Sequence, residues 1–250
     1  MSSYGTLSKF TGSASSGKRK RTIPYYPGPS KKAKSVKIVS IPRPRFASRA
    51  VTSTFPKTKR VTLKYVEYFQ NVPSVAGGAA GVTFRLNSLN DPNQSGVGHQ
   101  PMGTDQWAAF YQKYTVISSK ISATFMSIEA LVKGGVCGIS VFNGSTPLPS
   151  TTDIVALSED DDGVHSYYPH DGTPITVSKN VSMAKYFNIS NPADDDTCQS
   201  NFGGNPSRQM QAYVWTAVAP GTITIGGLVS FKVVISYDVI LSEPKDLPIS

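Results

Sequence analysis

Apolar and β-branched residues alternate with polar ones from Val61 to Phe69, VTLKYVEYF, the two-residue period of a strand with one buried face. Gly77, Gly78 and Gly81 mark a turn, and Val82–Leu86 restarts the strand pattern. Asn87 to Gly98 is a polar loop containing Asp91-Pro92. Asp105 stands ahead of Gln106–Tyr111, a spacing that predicts a capped short helix. Tyr114–Met126 is strand-like again, and the apolar run Val136–Phe142 stops at the turn signal Asn143-Gly144. The pattern loosens over 143–172 and becomes a polar loop over 190–208. Ile175–Met183, Gln211–Val218 and Leu228–Leu241 read as three further strands. Many strands, long loops, a single short helix and no βαβ alternation predict an all-β sandwich or jelly roll.

Residues 1–57 have no such period. Ser, Gly, Pro and basic residues dominate, and apolar residues are scattered. A segment of this kind buries too little surface to offset its ordering entropy, which predicts a disordered arm. Pro24, Pro27, Pro29, Pro42, Pro44 and Pro56 exclude long helices and central strands. The expected division is therefore an arm over 1–57 and one shell of strands over 58–250.

Charge sharpens this division. The chain's net +9 is modest, but 15 of its 25 Lys and Arg stand in residues 1–60, where there is no Asp or Glu. The other 10 face all 16 acids, a net of −6, and the first acid is Glu67. An acid-free basic arm gains counterion-release entropy on a phosphate backbone. The residues expected to bind nucleic acid are Lys18, Arg19, Lys20, Arg21, Lys31, Lys32, Lys34, Lys37, Arg43, Arg45 and Arg49. Two of these clusters, Lys18–Arg21 and Lys31, Lys32 and Lys34, have the spacing of a bipartite nuclear import signal read by a host carrier. A solvated tail without a receptor is the plain alternative. Tyr25, Tyr26, Phe46 and Phe55 lie among the basic clusters and read as incidental linker residues rather than base-stacking platforms.

Little else in the chain points to chemistry. Cys137 and Cys198 form no CxxC pair and read as free thiols, and neither a zinc site nor a disulfide framework is expected. His99, His165 and His170 are expected in polar loops, with no nucleophile elbow or phosphate loop to support catalysis. The acidic runs Glu159–Asp162 and Asp194–Asp196 have carboxylates suited to Ca²⁺ but lack calcium-loop spacing, so solvated loops are expected. No cofactor is called for. No stretch nears 18 consecutive apolar residues, so no membrane insertion is expected.

One segment carries a resemblance. A basic stretch ending in Lys59-Arg60 leads into VTLKYVEYF, then VTFRLNSLNDPN, GHQPMGTDQWAAFYQKYTV and SSKISATFM. The order of Phe84, Leu86, Asn87, Leu89, Asp91-Pro92, Pro101, Gly103, Asp105, Gln106-Trp107, Phe110-Tyr111, Tyr114, Val116, Ser119 and Lys120 resembles the capsid proteins of small circular single-stranded DNA viruses, the circovirus-like group. The arm is Lys-rich and proline-containing rather than Arg-dense, and residues 143–210 carry no part of the likeness. The resemblance implies an eight-stranded antiparallel jelly roll with strands B to I, and a small icosahedral shell of about sixty copies. It further implies a packaged single-stranded DNA genome and a host nucleus. On that template B falls near 60–70, C at 81–87, D at 114–127, E at 135–143 and F near 174–182. G is unassigned between 183 and 208, H lies near 210–219 and I near 227–241. The competing readings are a monomeric nuclear nucleic-acid-binding β-sandwich and a cupin-like or hydrolytic jelly roll. The aromatic candidates for contacts between copies are Trp215, Phe202, Tyr167-Tyr168 and the Trp107 helix.

Overall fold

The computed structural model describes Gly28 and residues 55–73, 78–128, 134–146, 148, 153–169, 171–218 and 228–246. The chain divides into two units, Met1–Arg49 and Ala50–Ser250, and the fold that follows is that of the second.

Among the described residues nine strands make two sheets. β1 (Thr58–Pro73), β9 (Leu228–Pro244), β3 (Tyr111–Ser127) and β6 (Ile175–Ser182) lie side by side in that order, and the three-residue β7 (Gln199–Asn201) extends the flank of β3. The second sheet runs β2 (Ala80–Arg85), β8 (Met210–Val218), β4 (Gly135–Asn143) and β5 (Gly163–Tyr168). Every pairing is antiparallel. Setting β7 aside and lettering the other eight B to I in chain order gives sheets B-I-D-G and C-H-E-F. That is the strand order of a jelly roll.

The two sheets differ in how they are buried, and the difference follows from their sequences. β9 alternates buried and half-buried positions along almost its whole length, the period of a strand with one face on a core and one on solvent. Phe231 at its centre stacks on Phe69 of β1 at 4.9 Å and packs against Phe125 of β3 at 5.5 Å. Phe69 in turn meets Phe84 of β2 edge-on at 5.7 Å, closing the space between the sheets. β8, by contrast, is buried at every position but its last. Its second face lies under the connection between β4 and β5. There the helix α2 (Ile154–Glu159) joins Ile154 and Leu157 to a smaller cluster with Val136, Tyr213, Trp215 and Ala217. Asp153 starts this helix by accepting the Val155 N–H at 3.0 Å.

The structure corrects several expectations. The strand at 175–182, expected as F, pairs with β3 and is G; F is the short β5, which falls in the stretch read as irregular. β5 is a six-residue edge strand whose Val164 and Tyr168 pack on the core across Ser166, while His165 and Tyr167 point the other way and stay exposed. His165 thus lies on a strand, not in a loop. The first helix, α1, is Thr104–Ala108, and Tyr111 already belongs to β3. Its N-cap is Gly103, held at φ 91°, a left-handed value that favours glycine, and Asp105 sits in the first turn rather than capping it. A third helix, α3 (Met183–Phe187), follows β6 directly.

Candidate nucleic-acid and assembly surfaces

All eleven residues expected to bind nucleic acid, from Lys18 to Arg49, and both import clusters lie outside the described residues. The second unit has surfaces of its own, and strand pairing determines them. On the side of the first sheet away from the core, cross-strand register lines up Lys64, Ser236, Lys120 and Asn180 in one row. The next row holds Thr62, Asp238, Ser118 and Ser182; two rows the other way stand Tyr68, Lys232, Thr124 and Thr176. The row between those of Lys64 and Tyr68 holds Val66, Val234, Ser122 and Ser178, so the face is lysines and hydroxyls around a valine pair. Tyr68 is 71% exposed on it.

Asp238 is the acid among these rows, and Arg60 takes it. The Arg60 Nε donates to Asp238 Oδ1 at 2.8 Å, and a second guanidinium nitrogen donates to the other oxygen. Ser118 Oγ adds a bond at 3.4 Å. These donors, Arg60 first, hold the Asp238 carboxyl below its ordinary range despite partial burial. A depression of about 470 Å³ opens beside this row, lined among others by Lys120, Lys179, Lys185, Asp161 and Asp162. Tyr186 donates its hydroxyl to Asp162 at 3.0 Å. Burial, and then this bond to a carboxylate, push the Tyr186 phenol up.

The acidic runs serve their own loops. Asp160 accepts the Asp162 N–H at 3.0 Å, and Asp195 accepts both the backbone N–H and the hydroxyl of Thr197, which holds its carboxyl low. Asp194 accepts from Asn191 at 2.9 Å. Among the described residues no group of three or more His, Cys, Asp or Glu is placed to hold a metal ion. The His99 ring lies against Tyr65 at 4.6 Å, and His170 falls outside the described residues. Both thiols are free and buried, and burial pushes Cys137 up to about 12.

Of the aromatic contact candidates, Trp215 and Tyr168 are core residues at 1% and 2% exposure. Phe202 packs on Tyr114 and Trp107 on Tyr111, both half-buried. Tyr167 is 70% exposed and lines a cleft with Val155 and Val136 beside α2. Pattern reading missed the most exposed apolar side chains, Val97 and Met102, because they stand singly in the polar connection between β2 and β3.

No protein-family model and no curated protein matches the sequence. Among solved structures, the chain is similar to the decameric BFDV capsid protein at 10% identity and TM-score 0.41, over 74% of this chain and 99% of that one. It is similar to the nodavirus of the giant freshwater prawn Macrobrachium rosenbergii, seen as a semi-empty virus-like particle, at 11% identity and TM-score 0.44, over 79% and 100%. A third likeness is to Cocksfoot mottle virus, at 8% identity and TM-score 0.43, over 75% and 97%. These overlaps add nothing to what the strand order itself establishes.

Proposed function

We propose that this chain is a viral coat protein whose jelly roll closes into a small icosahedral shell and whose basic arm packages a single-stranded DNA genome. One juxtaposition carries the reading: 15 bases without an acid in residues 1–60 lead straight into the first strand of a B-I-D-G/C-H-E-F jelly roll. Jelly rolls of eight strands serve as capsid and lectin domains, and as cupins. That is an argument from fold analogy. The arm separates the classes, because lectins and cupins have no use for a polycation. A cupin-like enzyme needs clustered His and Glu ligands, and the described histidines stand apart, one on Tyr65 and one on β5.

Exposed apolar side chains at Val97, Met102, Val155 and Tyr167 fit contacts that neighbouring copies would cover. Sixty arms of 15 bases carry about 900 positive charges, enough to neutralise much of a genome of roughly one to two thousand nucleotides. A single strand follows a small inner surface more easily than a duplex, which is stiff over about 150 base pairs. Lys18–Arg21 and Lys31, Lys32 and Lys34 serve as a nuclear import signal, so the protein works in the host nucleus and in the virion.

Electron microscopy and gel filtration of the purified protein test the reading. Discrete closed particles are expected. A stable monomer of 26.8 kDa at high concentration would refute it and favour a nuclear nucleic-acid-binding sandwich. A fluorescent fusion carrying residues 1–45 should enter nuclei, and substituting the two clusters by Gln should stop it.

A further inference from the structure

We infer that the solvent-facing side of the β1-β9-β3-β6 sheet is a second nucleic-acid contact, separate from the arm. On it Lys64, Lys120 and Lys232 hold phosphates and Tyr68 stacks on a base. The inference rests on the coat-protein reading for its ligand, a single-stranded nucleic acid, but on the sheet alone for its site.

Register puts Lys64 and Lys120 on either side of Ser236, two strand spacings or about 10 Å apart. Lys232 lies four residues along β9 from Ser236, about 13 Å away, and is paired directly with Tyr68. None of the three lysines takes part in the ion pairs among the described residues, which are Arg60–Asp238, Arg85–Asp91 and Lys113–Glu243. Asp238, the acid in these rows, is already matched by Arg60. The acidic pair Asp161 and Asp162 shares its depression with Lys120, Asp238 and Ser182, whereas Lys64, Tyr68 and Lys232 do not line it.

Three observations set this apart from ordinary solvated lysine. First, residues 61–250 carry a net charge of −6, so a cationic face runs against the domain's trend. Second, Lys120 and Lys232 stand on interior strands, where edge protection does not call for them. Third, α2 packs on the outer side of the other sheet, whereas among the described residues Tyr68 on this one shows a ring 71% exposed, paired with Lys232. Lysines with an interleaved exposed ring are the elements of sequence-tolerant single-strand binding.

The test uses the full chain at concentrations where gel filtration shows unassembled protein, with fluorescein-labelled oligothymidylate as the probe. Affinity is read by anisotropy from about 50 to 200 mM salt. The triple variant K64Q/K120Q/K232Q should lower the slope of log affinity against log salt by about 2, three phosphate contacts at about 0.7 each. Tyr68→Ala should weaken binding about tenfold at every salt and leave the slope alone. The triple Arg variant should keep the parent slope. A Gln triple that binds as the parent overturns the inference, as does a loss that the Arg triple fails to restore. A variant with Lys18–Arg21 and Lys31, Lys32 and Lys34 changed to Gln separates the two readings. If it binds like the parent, the arm's role fails while the sheet's stands. If it retains weak binding that the sheet triple abolishes, both stand.

Discussion

Trp215 lies across the backbone of the neighbouring strand, and a single methyl group tests that placement. In the register of β4 and β8, Gly138 faces Trp215. A Cβ added at Gly138 would stand 2.6 Å from Trp215 Cζ2, 2.7 Å from Cε2 and 2.9 Å from the Val164 carbonyl oxygen. Carbon atoms in good contact sit about 3.5–4.0 Å apart, so the indole must retreat by about 1 Å. It has nowhere to go. Its N–H donates to Ser140 Oγ at 3.1 Å, and it belongs to the cluster of Ile154 and Leu157 beneath α2. Overpacking of this kind costs about 1–3 kcal/mol, and loss of the Ser140 bond adds about 1. We therefore expect Gly138→Ala to cost about 2–4 kcal/mol, lowering Tm by about 4–16 °C for a domain of this size. The assay is urea unfolding of the parent, G138A, Trp215→Leu and the double variant. Because the two closest contacts come from one ring, adding G138A to the Trp215→Leu protein should cost clearly less than in the parent, the Val164 carbonyl contact alone remaining. Equal costs in both backgrounds, or no cost in the parent, would refute the placement of the indole over Gly138.

Other outcomes follow from the same geometry. Asp238→Asn should lower stability slightly at neutral pH. The native state holds the Asp238 carboxyl below its ordinary value of 3.8, so its contribution is present above that value and fades as pH falls below it. Unfolding curves of parent and variant should thus converge in acid and stay apart at pH 7. Cys137 is fully buried with its thiol pushed up to about 12, and Cys198 is buried too, so a thiol reagent at neutral pH should react with neither in the native protein and with both in denaturant. Removing residues 1–45 should leave a protein that still assembles by electron microscopy but carries little nucleic acid, as absorbance at 260 and 280 nm would report. Full-strength, salt-resistant binding by that truncation would place the principal site on the jelly roll.

Strand patterns in the sequence locate seven of the eight jelly-roll strands within about three residues at either end, one of them under the wrong letter. β4 was expected at 135–143 and spans Gly135–Asn143; β9 was expected at 227–241 and spans Leu228–Pro244. These strands either alternate against one core or are apolar throughout, and both patterns are local. β5 is neither. It is six residues long, its inward face Val164, Ser166 and Tyr168 is broken by a serine, and its omission moved the letter F onto the strand that is G. The α1 start was off because a left-handed glycine, not the Asp105 side chain, begins the helix. The cationic sheet face was not legible at all. Lys64, Lys120 and Lys232 are single lysines in ordinary strand sequences, and long-range pairing alone brings them together. The arm is the reverse case: its charge is visible in the sequence as one block.

The position of β9 has a consequence for how the chain is made. It pairs with β1 on one side and β3 on the other, yet it is synthesised after every other described strand. Val61 meets Val239 across 178 residues of chain. At roughly 5–20 residues per second, about 10–40 seconds pass between the emergence of β1 and that of its partner. Throughout that interval β1 and β3 present open edges, and the 15 bases of the first 60 residues are already outside the ribosome among the cell's RNA. The first sheet therefore closes in a late, all-at-once step, of the slow kind expected when contacts join distant parts of a chain. A nascent chain stalled before residue 228 should be a polycation tied to an unfinished sheet, prone to tangle with nucleic acid and with its own copies.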